Sequence, residues 1–260
     1  MSDQGDFYDI LHDGVRLTLP RVTSILKIID KSGPMMGWAI NTTKAEIRAA
    51  LEDVLTQPGE LTPQGVWDRV AKAMIGQRAT FRARDEAANI GRAAHAMIQW
   101  HTQRMLGQAS GPEPSGPEGA ERAVVAWMDW ARDVNFTPLH TELLVYCPAC
   151  ATAGTLDAIA KVEGAVTLVD YKTGKAVYDE AHLQVCAYRH LAKRGGIAVE
   201  RALILRLPKL ESDPTFDPVP AVDIPYGWFR HVRGAWAWKQ RMQHEPTGSV
   251  QMTKCDVEAT

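Results

Sequence analysis

Four cysteines, Cys147, Cys150, Cys186 and Cys255, are too few to staple a chain of 260 residues, so a disulfide framework is excluded as its organising device. No sign of charge dominates either. A net charge of -2 excludes a generally basic, DNA-coating protein, but not one that binds phosphates through a local groove and a metal. No apolar run is long enough to span a bilayer, and the opening Met1-Ser-Asp-Gln-Gly-Asp6 is polar and acidic rather than signal-like. A cytoplasmic protein of a reducing cytosol, with no membrane partner, is the expectation. Internal repeats are missing as well. Thr173-Gly174-Lys175-Ala176 imitates the end of a phosphate-binding loop. The position that needs the first glycine is Val169, however, and no Ser or Thr follows Lys175, which excludes an ATPase of that type.

What is present is the apolar fraction of an ordinary globular protein, 45%, and enough chain for one sizeable core. The first third reads as mainly helical: an apolar turn at Val22–Ile29, helical spacing over Gly37–Leu55, a helix opened by Thr62-Pro63, and a long Ala-rich helix from about Phe81 to Met105. Gly107 to Pro117 is rich in Gly, Pro and Ser and reads as flexible. Beyond it come a helix at Glu118–Val134, strands near Thr141–Tyr146, Thr155–Lys161 and Val166–Lys172, a helix at Asp179–Arg194, and a buried strand at Arg201–Leu207. A short edge strand at Val222–Ile224 and a last helix at Tyr226–Gln243 complete the reading. The expected organisation is an N-terminal helical region over 1–107, a linker or insertion over 108–117, a core over 118–243 and a polar tail over 244–260. The order α-β-β-β-α-β defines an α/β core with a mixed central sheet.

Two of these strands carry the chemistry. Gly154-Thr-Leu-Asp157 and Asp170-Tyr-Lys172 flank the turn Glu163-Gly164, so they form an antiparallel hairpin. Side chains two apart on a strand share a face, which puts Asp170 and Lys172 together; in the right register Asp157 joins them. Mid-strand aspartates are disfavoured, so this pair calls for a function. Two carboxylates and a lysine on a rigid sheet suit phosphodiester hydrolysis: the acids hold a hard divalent cation and the lysine orients or deprotonates water.

With those residues in that order, the chain resembles the PD-(D/E)XK nuclease superfamily, and most of all its RecB-like exonuclease branch with phage-type members. The matching positions are Asp157, Asp170 and Lys172 in Asp-Tyr-Lys-Thr-Gly, Gln184 with Tyr188 in Gln-Val-Cys-Ala-Tyr, Gly91-Arg-Ala-Ala-His95, and Glu142. The resemblance implies a restriction-endonuclease-like core. Mg²⁺ or Mn²⁺ would be held by His95, Asp157, Asp170 and the Tyr171 carbonyl. Lys172, Asp170, Asp157 and Glu142 would be catalytic, with Gln184 and Tyr188 against the DNA strand. It also implies a DNA exonuclease acting at single- or double-stranded ends in recombination, repair or replication. A recombinase, helicase or single-strand-binding protein would be its partner. An endonuclease or junction resolvase on the same core, and a non-catalytic nucleic-acid-binding module, are the alternatives.

Cys147-Pro-Ala-Cys150 is half of a zinc site whose second half the sequence does not show, and the spacing of an iron–sulfur cluster is missing; neither metal group is expected. Of the eight tryptophans, Trp127, Trp130, Trp236 and Trp238 sit in helical patterns and read as core.

Overall fold

A computed structural model describes residues 2–29, 32–56, 62–75, 79–213 and 216–244. The expected tail beyond His244, with Cys255, lies outside them. Chain contacts divide the protein into two units, Met1–Ile29 with Ile90–Thr260, and Asp30–Asn89. The smaller unit holds helices α2 (Ser32–Thr56) and α3 (Pro63–Ile75) and the start of α4 (Ala79–Met105).

The larger unit opens with strands β1 (Ser2–Gln4), β2 (Phe7–His12) and β3 (Val15–Pro20), after which the chain turns into a short helix α1 (Val22–Leu26). These strands correct the helical reading of the first residues. They form a three-stranded antiparallel sheet whose β2–β3 turn is Asp13-Gly14, both at positive φ, 49° and 78°. Asp-Gly between strands is the strongest short-range hairpin signal a sequence offers, and here it decides the structure. Arg21 caps α1 through its backbone alone, and Ser24 Oγ, inside the helix, donates to Asp6 at 2.8 Å.

After α4 come α5 (Glu118–Asp133), β4 (Thr137–Cys147), β5 (Thr152–Val162), β6 (Ala165–Thr173), α6 (Asp179–Arg194), β7 (Arg201–Leu207), β8 (Asp217–Pro220) and α7 (Tyr226–His244). The sheet order is β4-β5-β6-β7-β8, antiparallel except for the parallel β6–β7 pair, whose crossover is α6. This is the expected αβββαβ core with a mixed sheet. The edge strand is displaced: it lies at Asp217–Pro220, not Val222–Ile224. Its prolines, Pro218 and Pro220, make that segment read as loop, yet an edge strand tolerates proline because its outer N–H groups need no partner.

Two apolar layers sandwich the sheet. On one side α6 packs Val185, Ala187, Tyr188 and Leu191 with Leu156, Ile159, Leu168 and Ile204. On the other, α4 and α5 pack Ile98, Val124, Trp127 and Trp130 with Ala158, Ala160, Val169 and Leu205. Trp127 and Trp130 are core as expected; Trp238 is not, being 61% exposed. The Gly107–Pro117 stretch is without regular structure but is pinned, with Trp100 Nε1 donating to the Gly111 carbonyl and His101 paired with Glu113 at 2.8 Å.

Gly154 is the tightest point of the α6 layer. A Cβ there would stand 2.5 Å from Cε1 of Tyr188, which is 3% exposed and has nowhere to retreat. Gly154→Ala is expected to destabilise the fold by about 1–3 kcal/mol through overpacking, measured by urea unfolding. Adding Tyr188→Leu to it should recover part of the loss, since the obstructing ring is then gone.

Candidate active site

The β5–β6 ladder ends at the pair Ala158–Val169. One residue further, Asp157 leaves the ladder and its Oδ2 accepts the Tyr171 N–H at 2.7 Å, so a side chain takes the place of a backbone partner. Strand alternation slips at the same step: Leu156 and Ile159, three apart, both join the α6 layer. Such irregularities re-aim side chains beside functional sites. Across from it on β4, Glu142 lies between the paired residues Thr141 and Leu143 at φ 48°, a conformation that strains a non-glycine residue.

The slip gathers a group. Donor atoms of His95, Glu142 and Asp157 all lie within 4.8 Å of one another. His95, from α4, places Nε2 3.0 Å from the Tyr171 carbonyl and Nδ1 3.6 Å from Asp157 Oδ1. Gly91, one turn earlier, lets α4 come that close, because a Cβ on it would stand 2.9 Å from Thr173 Oγ1. An imidazole, two carboxylates and a carbonyl gathered this closely are a donor set that suits a hard cation such as Mg²⁺ or Mn²⁺.

Asp170 and Lys172 share a face of β6, as the two-residue spacing predicts, and their charged atoms meet at 2.5 Å. Asp170 is 1% exposed and Lys172 31%, so the lysine is the member that reaches solvent. Gln184 Nε2 donates to Asp170 Oδ1 at 3.1 Å and lies 3.2 Å from the Tyr188 hydroxyl. Two residues are placed differently from their expected roles. Asp170, expected among the metal ligands, stands outside the close donor group, turned toward Lys172 and the α6 layer. Tyr188, expected against a DNA strand, is buried under Gly154 and supports Gln184 from inside.

Burial governs the titration here. It lifts Glu142, helped by the Asp157 charge, to about 7, and lifts Asp170 to about 6 against the pull of Lys172. Burial also opposes ionisation of Asp157, yet His95, Lys172 and the Tyr171 N–H outweigh it and hold this carboxyl below its ordinary range. For His95 and Lys172 burial works downward, and the neighbouring carboxylates win and raise both.

The family model of the PD-(D/E)XK nuclease superfamily matches residues 69–258, and the chain belongs to that superfamily. No curated protein matches it in sequence. Among solved structures, it is similar to an assumed exonuclease of Eubacterium rectale, 10% identical over 64% of this chain and 79% of the other, with a TM-score of 0.40. It is also similar to the alkaline exonuclease LHK-Exo of Laribacter hongkongensis, 12% identical over 58% of this chain and 80% of the other, with a TM-score of 0.36.

The raised carboxyls set a pH dependence. A carboxyl with an elevated folded pKa binds more protons folded than unfolded, so Glu142 and Asp170 weaken the cation-free protein as pH rises from about 4 to about 7. His95, also raised, acts in the same direction, its stabilising contribution being lost as pH climbs through its folded value. Asp157, depressed, loses its contribution only in acid. A divalent cation competes with these protons. The rise in Tm on adding Mn²⁺ should therefore be small near about pH 5 and several degrees near about pH 8. Thermal scans at both values measure it.

Proposed function

We propose that the protein is a divalent-metal-dependent deoxyribonuclease that hydrolyses phosphodiester bonds from DNA ends. The observation that supports this best is the convergence of His95, Glu142 and Asp157 within 4.8 Å, beside the Lys172–Asp170 pair. His95, Asp157, Glu142 and the Tyr171 carbonyl would hold the cation, with Asp170 paired to Lys172 beside them. When bound, Mg²⁺ or Mn²⁺ supplies Lewis-acid polarisation of a phosphate oxygen and offsets charge on the leaving 3′-oxygen.

The chain's own residues do the rest. Lys172, partly exposed and anchored by Asp170, orients the attacking water and offsets negative charge on the phosphoryl oxygens as they develop it. Gln184 fixes the Asp170 carboxylate through one N–H, so that Lys172 is held at the mouth of the site instead of wandering over the surface. Glu142, whose pKa is lifted to about 7 in the cation-free protein, would give up its proton on taking the cation and complete the site as a carboxylate. In-line attack of this kind leaves a 5′-phosphate. The choice of DNA ends over internal sites rests on the resemblance to the RecB-like branch, as does a role in phage or bacterial recombination, repair or replication.

End-labelled single- and double-stranded DNA, incubated with Mg²⁺ or Mn²⁺, tests the reading beside covalently closed circles. The linear substrates should be shortened to 5′-mononucleotides or short products while the circles persist. Lys172→Ala should lower the rate by about 10²–10⁴-fold, with the Mn²⁺-induced rise in Tm kept. Equal cutting of circles would make the enzyme an endonuclease. Failure to cut any DNA or RNA, with binding intact, would leave a nucleic-acid-binding module.

A further inference from the structure

The turn between β4 and β5, Cys147-Pro148-Ala149-Cys150-Ala151, has features that a simple crosslink does not need. Its two sulfurs are joined as a disulfide. The Cys150 N–H donates to Cys147 Sγ at 3.0 Å. Amide donors aimed at sulfur favour the thiolate, the form that binds metals. Ala151 sits at φ 44°, which wraps the chain around the sulfur pair at some cost to a residue with a Cβ. The third feature comes from another element. His190, on α6, places Nε2 3.5 Å from Cys150 Sγ. Its ring is fixed by stacking on Tyr226, with centroids 3.6 Å apart and planes inclined by 6°.

Two donors of a tetrahedral zinc, sulfur at about 2.3 Å and nitrogen at about 2.0–2.1 Å, stand about 3.6 Å apart. The Cys150–His190 separation matches that edge. Cys147 and Cys150 look like half a zinc site in sequence, and α6 brings part of the other half from forty residues away. We propose that in the dithiol state Cys147, Cys150 and His190 bind one Zn²⁺, with solvent in the fourth position. Two thiol protons leave as the thiolates take the ion. The disulfide is the alternative state of the same pair, and a dithiol or phosphine reductant must supply two electrons, with two protons from solvent, before zinc can enter. The ion would tie the tip of the β4–β5 hairpin to α6, the helix that also carries Gln184. The hairpin strand bearing Asp157 and the helix orienting Asp170 would then be clamped together at a point outside the catalytic group.

The test uses the full chain, reduced with a phosphine so that no added thiol competes for metal. Zinc is measured after gel filtration, and Co²⁺ replaces it in a parallel absorption experiment. About one zinc per chain should remain on the wild type and on Asp157→Asn, whose cluster of carboxylates is broken. Co²⁺ should give a thiolate-to-metal charge-transfer band in both. Cys150→Ser should lose the band, and His190→Ala should bind at least about tenfold more weakly. Should a variant fail to fold, the wild-type cobalt spectrum still decides, because the His95 cluster contains no sulfur. A reduced protein with both thiols free to react and no zinc retained would overturn the proposal. So would zinc lost only in Asp157→Asn, or cobalt affinity unchanged in His190→Ala.

Discussion

The hydrogen bond from the Tyr171 N–H to the Asp157 carboxylate is the constraint on which the site depends. A regular hairpin would go on pairing β5 with β6 beyond Ala158 and Val169, and every backbone group there would be consumed by the ladder. One carboxylate substitutes for the missing partner, the strands part, and the Tyr171 carbonyl is left to face His95. The same parting lets Asp170 lean toward α6 while Asp157 leans toward α4. The two acids thus draw on different helical layers and still feel one another's charge. In that arrangement α4 contributes the imidazole, α6 the amide that holds Asp170, and the sheet both carboxylates.

Grouping acids in a poorly hydrated place is costly, and the cost is visible in Glu142 and Asp170, both pushed up by burial. Glu142 adds backbone strain at φ 48°. Structures keep such features where surrounding packing over-determines them, and here Trp127, Tyr171 and the α6 core supply that packing. A bound cation would relieve the repulsion between Glu142 and Asp157. This would tie the stability of the region to its chemistry, because Glu142, which opposes folding when bare and ionised, is one of the residues proposed to hold the metal.

Much of this is legible in the sequence because its signals are local. Asp170 and Lys172 are two apart, strand geometry alone puts them on one face, and the αβββαβ order comes from periodicity and turns. Gly91 ahead of His95 likewise points to a close helix–sheet approach, to which the structure gives physical form: a Cβ on Gly91 would stand only 2.9 Å from Thr173 Oγ1. The features that escape are non-local or cut against propensity. The slip at Asp157 draws Glu142 inward, and no pattern in β4 announces it. The burial of Tyr188 depends on Gly154 in another element. His190 lies forty residues from Cys150, so a half-motif looks orphaned. The Pro218 and Pro220 edge strand reads as loop because its register, not its composition, makes it a strand. The Asp13-Gly14 hairpin is different: its signal is plain in the sequence but is overshadowed by the long helical stretches between Val22 and Met105.

Locating a cation directly is the sharpest test of the account. In crystals grown with Mn²⁺, anomalous scattering should show a peak bounded by His95 Nε2, the carboxylates of Asp157 and Glu142 and the Tyr171 carbonyl, and Asp157→Asn should abolish it. A peak seated instead on exposed acids away from β5 and β6, or one of full height in the Asp157→Asn crystals, would contradict it.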